Sequence, residues 1–97
     1  MVLVEIKNDV GHYSTNEDGQ KLYYMIDQEF KNLNTVEISF EGVSGLSSSF
    51  INSAFIELLN KYDFNFIKKH LKFTHSNKQI NSLILSRFKF ELSKCAI

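Results

Sequence analysis

The stretch VEISFEGVSGLSSSFINSAFIELL changes its hydrophobic period once, and that change constrains the fold more than any other feature of the chain. Val36, Ile38 and Phe40 alternate with Glu37, Ser39 and Glu41, the two-residue period of a strand with one wetter face. From Phe50 onward, Ile51, Ala54, Phe55, Leu58, Leu59 and Tyr62 recur every three or four positions on one broad helical stripe. The spacing predicts a strand over 35–41 and a helix over 48–61. Between them lies a turn with Gly42, Gly45 and three consecutive serines, Ser47, Ser48 and Ser49.

The flanks repeat this strand-to-helix order. Val2, Val4 and Ile6 alternate with Leu3, Glu5 and Lys7, which suits a first strand. The turn-rich NDVGHYSTNEDG has room for a short strand around His12 to Ser14. From about Glu17 the period is helical, with Leu22, Ile26, Phe30 and Leu33 on one stripe. Asp18 or Asn16 suits the start of that helix, and Asn32 and Asn34 suit its end. FNFIKKH fits either a short helix or the approach to a strand, and LKFTH fits a strand with Leu71 and Phe73 inward. A last helix, capped by Ser76 or Asn77, carries Ile80, Leu83, Ile84, Phe88 and Leu92. The order implies an α/β fold, a small central mixed sheet of partly parallel strands with helices packed against it.

At 97 residues the chain has room for one core, so residues 1–97 form a single domain. Hydrophobic residues at 43% exclude a disordered chain. A single cysteine, Cys95, cannot form an internal disulfide, and a reducing cytoplasm is the expected compartment. The N-terminus lacks the basic and small-residue signals of an export leader, and no run approaches the roughly 20 apolar residues of a membrane span.

The serines follow the C-terminal end of a strand, where open α/β sheets place their sites, and they open a helix. A hydroxyl there serves first as an N-cap. The run from Val36 to Leu59 also resembles the signature of the STAS-like family of unknown function, small bacterial proteins in which Phe-Glu-Gly-Val leads to Ser-Ser-Phe and an amphipathic helix. The resemblance extends upstream to Thr15, Asp18 and Gly19 and weakly to the terminal helix. That family is in turn similar to STAS domains, the anti-sigma factor antagonists, whose corresponding turn is Asp-Ser-Ser/Thr-Gly. Ser47 stands where the Asp would be, Ser48 where the phosphorylated Ser is, Ser49 at the following Ser/Thr and Phe50 at the Gly.

In those antagonists a partner with a histidine-kinase-type ATPase fold phosphorylates the serine and is thereby released. The resemblance implies phospho-acceptor candidates Ser48, Ser49 and Ser47, and a partner-binding surface of Gly42, Val43, Leu46, Ser47, Ser48 and Phe50. A phosphate there adds about −1.5 to −2 charge to such an interface. The departures remove a carboxylate that would orient the hydroxyl, and the Phe crowds the approach.

Charge is divided. Residues 1–48 carry three lysines against eight carboxylates, and residues 49–97 carry eight basic residues against three carboxylates, for a net charge of zero. If the acidic first helix and the lysines from Lys61 to Lys94 lie apart, such a dipole steers an oppositely patterned partner or supports a homo-oligomer. The lysine-rich half, with Tyr62, Phe64 and Phe66 as stacking residues, offers the alternative of a nucleic-acid or acidic-surface binder. A single Arg and the zero net charge weigh against nucleic acid.

Other chemistry has thin support. His70 and His75 sit at odd separation across a strand, which argues against a metal site, and Cys95 with His75 is a poorly held nucleophile-base pair. Gly42 and Gly45 match no phosphate loop, so no cofactor is expected. The reading is a cytoplasmic, non-catalytic regulatory module of bacterial or phage type, binding a kinase-type ATPase or similar protein partner through the serine turn, with no membrane association.

Overall fold

Strand order, more than any single contact, sets where a site can lie in this molecule. The computed structural model describes residues 2–95. Its strands are β1 (Val2–Glu5), β2 (Val36–Ser39) and β3 (Leu71–Thr74), and its helices are α1 (Asn16–Lys31), α2 (Ser48–Ala54), α3 (Phe64–His70) and α4 (Lys78–Cys95). The sheet order is β1-β2-β3 and both pairings are parallel. The α/β expectation holds. The expected mixed sheet is instead parallel throughout, because helices return the chain to the same end of the sheet between successive strands.

Val2, Val36 and Leu71 stand side by side in register, as do Val4, Ile38 and Phe73, giving the sheet one wholly apolar face. The right-handed rule for such crossovers places α1 and α2 on the same face, and the two helices pack on each other there. The opposite face carries Leu3, Glu5, Glu37, Ser39, Lys72 and Thr74, with Leu3 and Lys72 exposed. Fully parallel sheets are normally covered on both faces, and this one is polar on its second.

Local chemistry decides where elements begin and end. The first strand stops at Glu5 although the alternation runs on to Lys7, because Ile6 and Val10, four apart, are both buried by a π-turn over Ile6–Val10. Its closing bond runs from the Gly11 N–H to the Ile6 carbonyl at 3.0 Å, with Gly11 in the left-handed region at φ 86. No strand forms at His12 to Ser14.

The cap of α1 falls one residue before Asn16 and three before Asp18, the two expected caps. Thr15 is the N-cap, and its hydroxyl and the Asp18 carboxylate form a reciprocal capping box. Leu22, Ile26 and Phe30 line the buried stripe, but Leu33 leaves it and is 72% exposed. Leu33 adopts φ 60 while its N–H bonds to the Phe30 carbonyl and the Asn34 N–H to the Glu29 carbonyl, the two bonds of a Schellman stop.

The helix expected over 48–61 breaks at Phe55, where Ile56–Asn60 continues as a 3₁₀ segment. Phe50, Ile51, Ala54, Phe55, Ile56 and Leu58 are all buried, which is more than one stripe of a straight helix can face inward. The tighter winding after Phe55 turns the remaining ones to the core. FNFIKKH is the helix α3, and it ends at His70, immediately before β3 begins at Leu71. Asn77 caps α4, accepting from the Ile80 N–H at 2.8 Å, and Ile80, Ile84 and Phe88 face the core. Among the described residues one continuous cluster of buried side chains joins all these elements.

Candidate functional site

The turn from Phe40 to Phe50 is held at both ends. Phe40 is buried, with its N–H bonded to the Thr74 carbonyl of β3 at 2.9 Å. The Val43 N–H returns to the Phe40 carbonyl at 2.9 Å, closing a β-turn. Its third residue, Gly42, lies at φ 79, and a side chain there would meet Lys7 Cδ at 2.8 Å. Conformation therefore calls for glycine, whereas the Lys7 side chain is flexible enough to swing aside.

The serines divide into one structural and two free residues. The Ser47 hydroxyl accepts from the Phe50 N–H at 3.2 Å as the N-cap of α2, and donates to the Ser14 carbonyl at 2.8 Å. Both of its functions are used within the fold. Ser48 and Ser49 occupy the first turn of α2, exposed, and their hydroxyls bond to no described residue.

Of the six surface residues expected from sequence, the structure leaves Gly42 and Ser48 exposed and Leu46 and Ser47 partly so. Phe50 and Val43 are buried and belong to the core, which corrects their assignment to a docking surface. Phe50 occupies the first inward position of the α2 stripe, and Val43 is carried inward by the turn that Gly42 permits.

The turn is braced by the start of α1. Gly19 packs so closely on α2 that a Cβ there would lie 2.7 Å from both the Phe50 carbonyl oxygen and the Ser53 Cβ. The Ser53 hydroxyl donates to the Asn16 side-chain carbonyl at 3.1 Å. With the bond from Ser47 to Ser14, three contacts fasten the start of α1 along the length of α2. Burial opposes the charge on Asp18, but bonds from the Ser14 and Thr15 N–H groups and the Thr15 side chain outweigh it and hold its pKa below the ordinary value.

The acidic face expected on α1 is interrupted. Asp27, one of the carboxylates of that acidic helix, is 3% exposed and receives the Tyr62 hydroxyl at 2.6 Å, Lys61 at 3.1 Å and Lys31 at 3.3 Å. Only the four-residue spacing to Lys31 was visible in advance; the Tyr62 and Lys61 contacts span more than thirty residues.

The stacking residues considered for nucleic acid have their rings engaged internally. Phe66 stacks on Tyr62 at 5.3 Å and on His70 at 4.2 Å, while Phe64 packs against Phe88 at 5.5 Å. Lys68, Lys69, His70 and Lys72 nevertheless gather at the end of α3 and the start of β3. Among the described residues no three His, Cys, Asp or Glu side chains cluster as metal ligands. The Cys95 side chain lies outside the described residues, so its pairing with His75 does too. No described helix is long and apolar enough to cross a membrane.

With this geometry in hand, the model of one protein family, the STAS-like domain of unknown function (DUF4325), matches residues 18–81, about two thirds of the chain. The match runs from the capping Asp18 to the first turn of α4 and contains the whole braced turn. No curated protein and no solved structure matches the chain.

Proposed function

We propose that this chain, which belongs to the family of STAS-like domains of unknown function, is a non-catalytic regulatory module that binds a protein partner through the serine turn. The observation that carries the reading is the contrast between neighbours: Ser47 and Phe50 are fixed into cap and core, while Ser48 stands exposed between them. A rigidly held turn with an outward hydroxyl suits an interface that a single phosphate can alter, because added charge acts without refolding the support. The partner of this reading is an ATPase of the histidine-kinase type, Ser48 is the acceptor, and Gly42, Leu46 and Ser49 complete the contact.

The test uses wild type and Ser48→Asp as paired baits in native lysate, with the melting temperature of each measured first. Retention of a histidine-kinase-type ATPase by wild type and its loss with Ser48→Asp, at unchanged melting temperature, supports the reading. Equal retention by both baits removes the serine turn from the interface. Nuclease-sensitive absorbance in place of a defined protein assigns the chain to nucleic acid through its lysine-rich half.

A further inference from the structure

A second surface lies on the far edge of the sheet. A groove of about 440 Å³ runs beside β3, with Ile67, Leu71 and Phe73 on one wall. Ile84, Phe88 and Leu92 of α4 form the other wall, and Leu85, 52% exposed, also lines it. The β2 neighbours of Leu71 and Phe73, Val36 and Ile38, are fully buried, so the groove opens on the outer side of β3. On that side, among the described residues, no strand pairs with Leu71–Thr74.

We infer that the β3 edge and the α4 groove form a docking site for an extended, acidic segment of a partner protein, which joins the sheet as a fourth strand. An edge strand offers unpaired N–H and C=O groups along its length, and partner segments add to such edges by main-chain bonding. In parallel α/β units the helix after a strand packs over the place of the next strand, and α4 follows β3 in this way. An added strand would turn alternate residues into the apolar groove and the intervening ones towards the face that carries Lys72.

Charge selects the occupant. Lys68 and Lys89 line the groove, where among the described residues no carboxylate does, and Lys69 and Lys72 adjoin Lys68 on the neighbouring surface, with Glu37 beside Lys72 in register and held by the Thr74 hydroxyl. A segment with Asp or Glu at every second position complements these cations, whereas a basic segment is repelled. The α4 wall from Ile84 to Leu92 lies beyond residues 18–81, whereas the β3 edge lies within them, and no residue of the serine turn lines the groove.

The experiment pans a display library of random peptides, each about ten residues long to span the edge strand, against the purified protein. Enriched peptides are expected to alternate apolar residues with Asp or Glu at a period of two. A synthetic copy of the most enriched peptide should slow amide hydrogen exchange in Leu71–Thr74. It should also lose about tenfold or more in affinity with Leu85→Glu, in the groove, or with Lys69→Glu and Lys72→Glu together, on the face that meets the acidic residues. These side chains are exposed, and an unchanged melting temperature confirms that the variants fold. No enrichment, a helical three-to-four-residue period, enrichment of basic peptides, or binding indifferent to Leu85→Glu would each overturn the inference.

Discussion

The Tyr62 hydroxyl donates a 2.6 Å hydrogen bond to the Asp27 carboxylate, tying the segment before α3 to the middle of α1. Lys31 and Lys61 share the other carboxylate oxygen at 3.3 and 3.1 Å. Among the described residues no buried side-chain polar atom lacks a partner, so this charge is accommodated rather than stranded. The Tyr62 bond, reinforced by the lysines against the opposing effect of burial, holds the Asp27 pKa below its ordinary 3.8. Burial first, and then the bond to Asp27, pushes Tyr62 up from 10.0 to about 12.

Stability should therefore fall at both ends of the pH scale. Asp27 is the stronger acid when folded, so its contribution is present above the ordinary value of 3.8 and is lost as pH drops through and below it. Tyr62 holds its proton more tightly when folded, so its contribution is lost as pH rises from 10.0 to about 12. Tyr62→Phe should cost about 1.5–3 kcal/mol at neutral pH and flatten part of the alkaline loss. Tyr23, also pushed up by burial, retains the rest. Urea titrations of both proteins across pH measure this, and an unchanged alkaline slope would contradict it.

Leu33→Gly should stabilise the protein by about 0.5 kcal/mol, the relief of the left-handed conformation less the added freedom of glycine in the unfolded chain. Leu33 sits at φ 60 in the stop of α1, a conformation that costs an L-residue about 1–2 kcal/mol and glycine little. At 72% exposure it gives up almost no buried area in exchange. Denaturant unfolding decides the sign.

Gly19→Ala should destabilise by about 1–3 kcal/mol, since its methyl would meet the α2 backbone and Ser53 at 2.7 Å. Gly45, with nothing within 4 Å of its would-be Cβ, provides the control, and Gly45→Ala should be neutral or stabilising by about 0.4–1 kcal/mol. Equal effects at the two glycines in thermal unfolding would mean that the α1–α2 contact is looser than described.

Leu58→Ala should cost about 2–5 kcal/mol, because Leu58 is completely buried beyond the break at Phe55. A loss below about 1 kcal/mol would remove the 3₁₀ segment from the core.

Ser47→Ala should cost about 0.5–2 kcal/mol for the lost cap, and Ser48→Ala should stay within about 0.5 kcal/mol of wild type. Comparable losses at the two positions would show that Ser48 also supports the fold.

The sequence was legible where one residue's neighbours along the chain decide its fate. Val36 to Ser39 alternates and is a strand, and Ile80, Ile84 and Phe88 recur every fourth residue and are a helix face. It was misleading where two periods fit the same residues: Val2, Val4 and Ile6 alternate, yet Ile6 and Val10 are also four apart, and the second period prevails after Glu5. The serine turn was found by its composition, but the division between Ser47 and Ser48 depends on Ser14, thirty-three residues away. The buried state of Asp27 was hidden for the same reason, since a carboxylate on a helix reads as solvated until Tyr62 and Lys61 arrive from elsewhere.

The junction of α3 and β3 has no connecting residue, as His70 ends the helix and Leu71 begins the strand. A joint without slack behaves as a lever, because no intervening φ or ψ angles absorb a displacement. From that joint, His70 stacks on Phe66 and Phe66 on Tyr62, whose hydroxyl bonds to Asp27 in α1, so the strand's start and the middle of α1 are linked by contacts rather than by a loop. Ser14, just ahead of α1, accepts from the Ser47 hydroxyl, so the α1 backbone is what spans the distance between the Asp27 contact and the serine turn.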